Sequence, residues 1–417
     1  MTVLRAGGFP EDEVRARARA GAAAVFPPAS SYGTTLFGAA APASPDALEE
    51  ARLVPPVFLP RRLEKLIELG REPLYGDVCL STEIGGFASA LPVYLSAFGS
   101  TQVAGAGLGA AASAQAARLG IPMVIGENVV PVHGHGRAGG DSAGTLLERL
   151  RAYADAAPDG LGGVVVQQST EDADAEVWNL VYSDPSAAPL LESGRLAFEL
   201  KVGQGAKPGL GGMTLVDPST AASLSELYSV DLSLGDRVLR SSSPGTFTSE
   251  ILRQQIRLMR NNFPRAGVWV KLLPGRDIAS AASVAWAAGA DAVTVDGAEG
   301  GTGWAPTSFA DVGLPLAECL SRMGTPAGCL LASGRMWEGT RVAKVLALGA
   351  RAAGLGRAAL LAVDTDPAAG LVRFVEALAL ELRLLLSALG QYRPDALTRD
   401  DVWFPGEPGR VAEQVLS

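Results

Sequence analysis

The chain has 417 residues, of which 48% are hydrophobic and 19% charged, and it carries a net charge of −9 at pH 7 with a pI near 5.0. An acidic balance of this kind argues against a nucleic-acid-binding protein, which needs a basic face. No apolar run approaches the ~20 residues that a membrane helix requires, and the charges within residues 1–25 argue against a secretory signal peptide. We therefore expect a soluble, cytoplasmic enzyme that does not bind membranes.

Cysteine and histidine are both scarce. The three cysteines, Cys79, Cys319 and Cys329, share no C-x-x-C spacing. This fits reduced thiols and argues against an iron–sulfur cluster, which takes three or four closely spaced Cys ligands. The two histidines, His133 and His135, are more typical of a surface loop than of a catalytic pair, and we predict no metal site.

Residues 1–90 are predicted to form a mostly helical N-terminal extension. A charged helix is expected over 11–24 and an amphipathic helix over 61–69, with Pro- and Ala-rich linkers between them. From residue 91 the pattern changes, because short apolar runs alternate with helical segments as they do in βα units.

Eight strands are predicted in this second part, over 93–98, 123–125, 196–202, 237–241, 268–272, 292–295, 327–332 and 352–355. Helices are predicted over 109–119, 218–228, 249–261, 278–288, 314–323 and 339–348, followed by a long one near 370–389. Eight βα pairs with right-handed crossovers close into a barrel. The predicted fold is thus α/β, a (β/α)8 TIM barrel over residues 91–417. The strand-like run at 164–168 is interpreted as part of an inserted segment.

Residues 93–128 offer a competing interpretation as a dinucleotide-binding fingerprint, with Gly105, Gly107, Gly109 and the acidic Glu127. The glycines come seven residues after the strand, and their spacing is G-x-G-x-G rather than G-x-G-x-x-G. An Ala/Gly-rich helix packed closely on its neighbours is the simpler explanation.

Ligands bind at the C-terminal ends of barrel strands, so residues at those ends are candidate site residues. Glycine loops and helix N-termini expose N–H donors to phosphate, and Arg335 and Arg357 add charge to the last two loops. Gln204 and Lys207 suit a different task, since an amide and a cation stabilise negative charge on an electron-accepting ring. The candidates at strand ends are Ser96, Ala97, Phe98, Gly99, Glu127, Lys201, Gln204, Lys207, Lys271, Gly300, Gly301, Thr302, Gly303, Gly334, Arg335, Gly356 and Arg357.

Several motifs at these ends resemble the FMN-binding barrel domain of the glutamate synthase family. They are KVGQGAKPGLGG (201–212), VKL (270–272), VDGAEGGTGWAP (295–306) and LALGARAAGLGRAAL (346–360), with LSAFGS (95–100), IGEN (125–128) and LLLSALGQYRPDAL (384–397) in support. The resemblance implies FMN in the barrel mouth. Ser96–Gly99 would face the isoalloxazine, and Gln204 and Lys207 would contact its N1/O2 side. The glycines and arginines from 300 onward, with Thr302, would bind the phosphate tail.

The resemblance also implies a carboxylate-bearing substrate against the flavin, held by Lys201, with Glu127 and Lys271 near the reacting atoms. Arg240 or Arg237 would take the place of the family's substrate-binding arginine. Met213 stands where the family has a glutamine, and Trp269 where it has a serine. A more apolar pocket follows, and we expect a substrate other than plain 2-oxoglutarate.

Two further departures concern electrons and ammonia. LLAVDTDPAAG (360–370) replaces the family's iron–sulfur cysteines, and no N-terminal cysteine nucleophile is present. We expect electrons to come from a partner protein, free reduced flavin or the substrate, and no ammonia to be generated in this chain.

The predicted function is therefore an FMN-dependent oxidoreductase that acts on an amino acid, an imino acid or an imine of a 2-oxo acid by hydride transfer at flavin N5. One alternative is a 2-hydroxy-acid oxidase of the related FMN barrels, although those enzymes use a late histidine base and here both histidines come early. An isomerase barrel for phosphosugars or isoprenoids and a non-catalytic barrel subunit are the others. The sequence does not determine the exact substrate or whether the chain forms a homo-oligomer.

Overall fold

The computed structural model describes residues 4–25, 46–98, 107–126, 142–169, 177–205, 213–216, 218, 229–234, 237–241, 246–300 and 311–406. The strands in these ranges are β1 (Arg52–Leu53), β2 (Thr82–Ile84), β3 (Phe87–Ser89), β4 (Val93–Phe98), β5 (Met123–Ile125), β6 (Val164–Ser169), β7 (Leu196–Lys201), β8 (Met213–Val216), β9 (Ser229–Leu234), β10 (Arg237–Ser241), β11 (Gly267–Leu272), β12 (Ala292–Asp296), β13 (Cys329–Ser333), β14 (Ala352–Leu355) and β15 (Val402–Trp403).

The helices are α1 (Glu11–Ala20), α2 (Ala47–Glu50), α3 (Pro60–Leu69), α4 (Leu108–Arg118), α5 (Ser142–Ala154), α6 (Val177–Ser183), α7 (Ala188–Glu192), α8 (Ser249–Asn262), α9 (Ile278–Ala287), α10 (Leu316–Met323), α11 (Gly339–Ala347), α12 (Arg357–Thr365) and α13 (Gly370–Ala388). None of the helices in the described ranges has the length and hydropathy needed to cross a bilayer. Apart from Pro218, the helix predicted at 218–228 lies outside these ranges.

Eight parallel strands close into a barrel in the order β11-β12-β13-β14-β4-β5-β6-β7, which confirms the predicted fold class. Most connecting segments carry a helix, as parallel strands require. The closure has no sheet edge within the barrel, so the polar backbone groups of the strands are paired on both sides.

The predicted assignment of the third and fourth barrel strands was wrong. β6, which we placed in an insertion, is the third barrel strand, and it pairs with β5 and β7. β10, which we placed in the barrel, instead forms a separate antiparallel sheet in the order β8-β10-β9. Leu234 of β9 pairs with Arg237 of β10, so only two residues, Gly235-Asp236, join these strands. A connection this short suits an antiparallel hairpin and cannot make a parallel crossover.

The N-terminal end of the barrel is closed by the β2–β3 hairpin. Its Ala88 carbonyl accepts from Gly162 N at 2.8 Å, and Ala90 N donates to the Gly120 carbonyl at 3.1 Å. Gly162 and Gly120 precede β6 and β5, so the hairpin lies across the ends at which those strands begin. Inside the barrel the hairpin meets a layer of apolar side chains, namely Val124, Val165, Ala197, Trp269, Ala292, Leu331 and Ala352.

Trp269 is the largest side chain of this layer and is fully buried. Its indole Nε1 donates to the Gly85 carbonyl at 3.0 Å, and its ring lies 5.6 Å from that of Phe87. A Cβ on Gly85 would come within 2.5 Å of the indole, and φ there is +55°, so the hairpin turn needs glycine. The predicted substrate-binding role of Trp269 was therefore wrong, because the side chain fills the closed end of the barrel.

The N-terminal segment packs against the last helices of the barrel. Acidic residues begin α1 and arginines end it, which matches the helix dipole. Val14 and Ala18 are buried, and Arg15 and Arg17 pair with Asp364 at 3.0 Å and Glu381 at 2.6 Å. The division of the chain at residue 90 stays a prediction.

Candidate functional site

Asp296, the last residue of β12, is the centre of the barrel mouth. Its Oδ1 accepts from Ser333 Oγ at 2.6 Å, and its Oδ2 accepts from Gly205 N at 2.9 Å. Lys271 Nζ lies 3.4 Å from the same Oδ2. Because Asp296 and Lys271 are both buried, one carboxylate links the ends of β7, β11, β12 and β13.

The loops that follow β7 and β12 meet by direct backbone contact. A Cβ on Gly205 would lie 1.7 Å from the Gly297 carbonyl oxygen, and one on Gly300 would lie 2.7 Å from both carboxylate oxygens of Asp296. Only glycine allows so close an approach of two chains. Gln204 and Gly300, which the sequence placed in one site, therefore do lie on one rim. Lys207, Gly301, Thr302 and Gly303 lie outside the described residues.

A second polar layer lies between this rim and the apolar closed end, and sequence reasoning missed it. Buried Glu199 accepts a hydrogen bond from Gln167 Nε2 and another from Thr294 Oγ1 at 3.2 Å. Burial raises the pKa of the Tyr94 phenol, and the Glu199 carboxylate raises it further. A Cβ on Gly354 would lie 2.7 Å from the Tyr94 hydroxyl, so this glycine makes room for the ring.

Sequence signals for this layer did exist. Glu199 stands two residues before Lys201, so strand alternation places both on the same face of β7. Gln167 was not considered because its strand had been assigned to an insertion.

Arg357 and Gly334 define the side of the mouth that follows β13 and β14. Arg357 Nη2 donates to the Glu299 carbonyl at 2.6 Å, and its guanidinium lies 4.7 Å from the centre of the Phe9 ring. Burial, together with the neighbouring Arg335, lowers the pKa of Arg357. Gly334 has φ +137° and Arg335 has φ +56°, so the chain after β13 turns sharply back. Gly356 is the N-cap residue of α12, and a Cβ there would meet nothing within 4 Å.

Carboxylates from the N-terminal segment balance the cations behind this rim. Arg341 Nη1 lies 2.9 Å from oxygens of both Asp46 and Glu49, and Arg335 Nε lies 3.8 Å from Glu49. Nearby, burial raises the pKa of Glu338 to about 7, and Glu49 and Glu381 raise it while Lys344 and Arg17 oppose them. The segment that follows β13 is therefore closely tied to α1, α2 and α13.

The predicted site residues divide into three groups, which lie at barrel strand ends, on the small antiparallel sheet and outside the described residues. The described strand ends hold Ser96, Ala97, Lys201, Gln204, Lys271, Gly300, Gly334, Arg335, Gly356 and Arg357. Met213 and Arg240 lie on β8 and β10 of the small antiparallel sheet, so the predicted position of Arg240 beside a barrel strand was wrong. Phe98 ends β4, whereas Glu127 and Gly99 lie outside the described residues, as do His133 and His135.

Comparison with known proteins agrees with this geometry. Residues 190–369 match the family model described as the conserved region in glutamate synthase. The archaeal-type glutamate synthase (NADPH) of Dehalococcoides mccartyi is 33% identical over 183 residues, which cover 42% of this chain and 36% of that protein. A glutamate synthase large subunit-like protein of Rhizobium meliloti is 33% identical over 181 residues, which cover 41% of this chain and 40% of that protein.

A shorter match and the solved structures extend this comparison. An isopentenyl-diphosphate delta-isomerase of Nostoc is 38% identical over 128 residues, or 27% of this chain and 36% of that protein. An active variant of (S)-mandelate dehydrogenase superimposes with a TM-score of 0.57 at 16% identity, covering 86% of this chain and 88% of that one. A mandelate oxidase variant with an FMN adduct gives 0.52 at 18% identity, covering 85% and 88%.

At these low identities the solved structures establish the barrel fold alone. The sequence matches reach further, but they span only 36% and 40% of the first two relatives. Over residues 190–369 this barrel is therefore similar to the conserved region in glutamate synthase.

Proposed function

We propose that the chain binds FMN in the barrel mouth and is an FMN-dependent oxidoreductase of the glutamate synthase type. Its substrate is an amino acid, an imino acid or an imine of a 2-oxo acid. The observation that carries this proposal is the contact of Gly205 with Gly297 and Gly300 around Asp296. The N–H groups of these three glycines bond within the protein, to Asp296, Ser333 and Gly297, so the contact fixes the two loops that would surround a ring-and-phosphate ligand.

The residues of the mouth fit such a ligand. Ser96–Gly99 would lie against the ring, with Gln204 and Lys207 at its N1/O2 side. The phosphate would be held by Gly300–Gly303, Gly334, Arg335 and the α12 N-terminus with Gly356 and Arg357, a combination of N–H donors and cations that suits a dianion. When bound, FMN supplies hydride transfer at N5, and the protein supplies position and electrostatics.

Two lysines of neighbouring strands provide the charge that a substrate carboxylate needs. Lys201 of β7 and Lys271 of β11 are partners in the parallel ladder, so their side chains lie side by side at the rim. Lys201 is half-buried and can reach a bound carboxylate, which fixes the geometry of the reacting atoms. Lys271, buried beside Asp296, holds a proton at Nζ, and Glu127 is a second group that would carry a proton.

The substrate is proposed to differ from plain 2-oxoglutarate. Since Trp269 lies at the closed end, this now rests on Met213 and on the loop after β12. In that loop Ala298 and Glu299 stand where the resemblance implies a His-Asp pair. Electrons would come from a partner protein, free reduced flavin or the substrate itself. We propose a cytoplasmic location on the acidic composition and the family match.

The absorption spectrum of the purified protein tests the flavin site. We expect a yellow protein that releases FMN on denaturation and loses most of its flavin in Gly205→Ala, because the new methyl group would overlap the Gly297 carbonyl. Overpacking of this kind also costs about 1–3 kcal/mol of stability. Gly76→Ala is the matched control, since a Cβ there meets nothing within 4 Å.

A colourless protein that FMN cannot reconstitute contradicts the proposal, as does full flavin content in Gly205→Ala. Anaerobic reduction then separates the substrate classes. Bleaching of the flavin by amino acids supports the glutamate synthase type of reaction, whereas bleaching by 2-hydroxy acids alone would favour the oxidase alternative. A flavin that neither class reduces and that, once reduced chemically, is not reoxidised by a 2-oxo acid with ammonia would favour an isomerase or a non-catalytic subunit.

A further inference from the structure

An unusual amount of apolar surface is exposed on α3 and the segments beside it. Within the described residues, Val57 is 90% exposed, Phe58 84%, Ile67 71% and Leu63 58%. The helix itself has no buried residue, although its sequence is strongly amphipathic. The apolar side chains that we call the α3 face are Val54, Val57, Phe58, Leu63, Ile67, Leu74, Tyr75 and Trp403.

Hydrogen bonds join the parts of the α3 face into one surface. Trp403 pairs with Arg52 in the β1–β15 ladder, and Val54 N donates to the Asp401 carbonyl at 2.9 Å, so Val54 lies further along the same ladder from Trp403. Arg62 Nη2 donates to the Pro73 carbonyl at 3.2 Å, which folds Leu74 and Tyr75 back toward the first turn of α3. The helix is anchored from below by Arg61, whose Nη1 donates to the Ala396 carbonyl at 2.7 Å. The surface is thus ordered and held to the barrel.

The exposed area is large enough for a stable dimer. From the exposed fractions, the eight side chains present on the order of 900 Å², against about 800 Å² that each partner buries in an interface of standard size. Monomeric proteins rarely expose apolar patches of more than a few hundred Å².

The charges of α3 indicate what covers it. Its first turn carries Arg61 and Arg62, and its last turn carries Glu68, with Glu72 shortly after. This order opposes the helix dipole, which favours acidic residues first and basic residues last. Within the chain Arg62 pairs with Glu72 at 3.4 Å and Lys65 with Glu68 at 2.7 Å, but the two carboxylate side chains remain 66% and 64% exposed and can also face a partner. An antiparallel copy of the same helix would place the basic start of each α3 beside the acidic end of the other. The arrangement is self-complementary, as a two-fold symmetric interface must be.

We propose that the α3 face is a dimer interface and that a second copy of this chain covers it. In this dimer Leu63 and Ile67 of the two α3 helices pack against each other about a two-fold axis, and Phe58 and Trp403 lie at the margins. The proposal does not depend on the flavin chemistry at the mouth.

Light scattering coupled to size-exclusion chromatography tests this inference on the full chain. We expect the wild-type protein to elute with twice the mass of one chain and Leu63→Glu to elute as a monomer at the same concentration. Leu258→Glu is the matched control, because Leu258 lies on another helix, α8, and is also 58% exposed. This control is expected to remain a dimer.

A charge-reversal pair tests the antiparallel arrangement. Glu68→Arg should raise the dimer dissociation constant at least several-fold, and the added change Arg62→Glu should restore it, because each altered residue then again faces an opposite charge. A wild-type chain that is monomeric at every concentration overturns the proposal, even if another protein binds the surface. A dimer that survives Leu63→Glu overturns it as well. Circular dichroism of each variant shows that the fold is retained.

Discussion

The two ends of the barrel are built from the same eight strands but have opposite chemistry. At the N-terminal end, Trp269 and the β2–β3 hairpin pack an apolar layer that excludes solvent. At the C-terminal end, Asp296 and Lys271 form a buried ion pair, and glycine loops replace bulky side chains. At the closed end, packed side chains hold the strands together. At the mouth, glycines take the place of bulky side chains.

The change from one chemistry to the other takes only two or four residues along each strand. Successive inward-facing positions are two residues apart, so one strand can contribute first to the apolar layer and then to the polar layers. This sequence of layers appears in Ala197, Glu199 and Lys201, in Trp269 and Lys271, in Ala292, Thr294 and Asp296, and in Leu331 and Ser333. A barrel thereby separates stability from chemistry within a single strand, and variants at the two ends should have different effects.

The largest effect is expected at the closed end. Trp269→Ala should lower the free energy of unfolding by about 3–5 kcal/mol, the usual cost of removing a buried aromatic side chain. Urea denaturation measures this change, and Leu258→Ala, at a 58% exposed side chain of α8, is the control with little expected effect. Flavin affinity should stay near the wild-type value below the unfolding transition. If Trp269→Ala loses as much free energy of flavin binding as it loses in free energy of unfolding, the two ends of the barrel are energetically coupled.

A charge variant at the mouth should affect both properties. Asp296→Asn leaves buried Lys271 without its carboxylate partner, and breaking a buried pair in this way costs about 3 kcal/mol. The double variant with Lys271→Met should regain much of that stability, since no unpaired charge remains buried, while flavin reduction by substrate stays impaired. Urea denaturation and anaerobic reduction give the two measurements. If the double variant is no more stable than Asp296→Asn, the ion pair does not have the energetic role described here.

The smallest effect concerns pH and the segment behind the mouth. Glu338 has a pKa of about 7 in the folded protein against a reference value of 4.5, because burial disfavours its charged form. The folded state therefore binds more protons than the unfolded state between these values, so stability falls as pH rises from about 4.5 to about 7, by at most about 3 kcal/mol. Glu338→Gln should remove this dependence and stabilise the protein above pH 7.

The pH test has a control on α13. Glu376→Gln changes an exposed carboxylate and should leave the pH profile of stability unaltered. Thermal unfolding between pH 4.5 and pH 8 gives both profiles. A Glu338→Gln variant that is less stable than wild type at pH 8 would contradict the prediction and would show that the charged form is needed by Arg17 or Lys344.

Much of the fold was predictable because the strands are short, apolar and separated by helical segments. The limits of β4, β5 and β14 were predicted to the residue, and the fold class was confirmed. The wrong assignment of β6 to an insertion and of β10 to the barrel has a physical cause. Both segments have the sequence pattern of strands, and that local pattern does not determine which sheet a strand joins. The two-residue connection between Leu234 and Arg237 was the signal for a hairpin.

The site was predictable where backbone requirements determine the residue type. Gly300 was a candidate in the sequence and Gly205 lay within the motif KVGQGAKPGLGG, and the structure shows that side chains at these positions would collide with Gly297 and Asp296. The packing role of Trp269 could not be predicted from the sequence, because its position at the closed end of the barrel depends on the β2–β3 hairpin that covers it. Glu199 became a site residue only when its neighbours Gln167 and Thr294 were placed around it.

The β2–β3 hairpin has one more consequence, for the order in which molecules enter. Among the described residues, Trp269 and Phe87 fill the N-terminal end of the barrel, so a ligand would enter and leave at the C-terminal mouth. A cofactor that lies deeper than the substrate would then have to bind first, and it could not dissociate while a substrate occupied the mouth. Each product would then have to leave the mouth before the next substrate could bind.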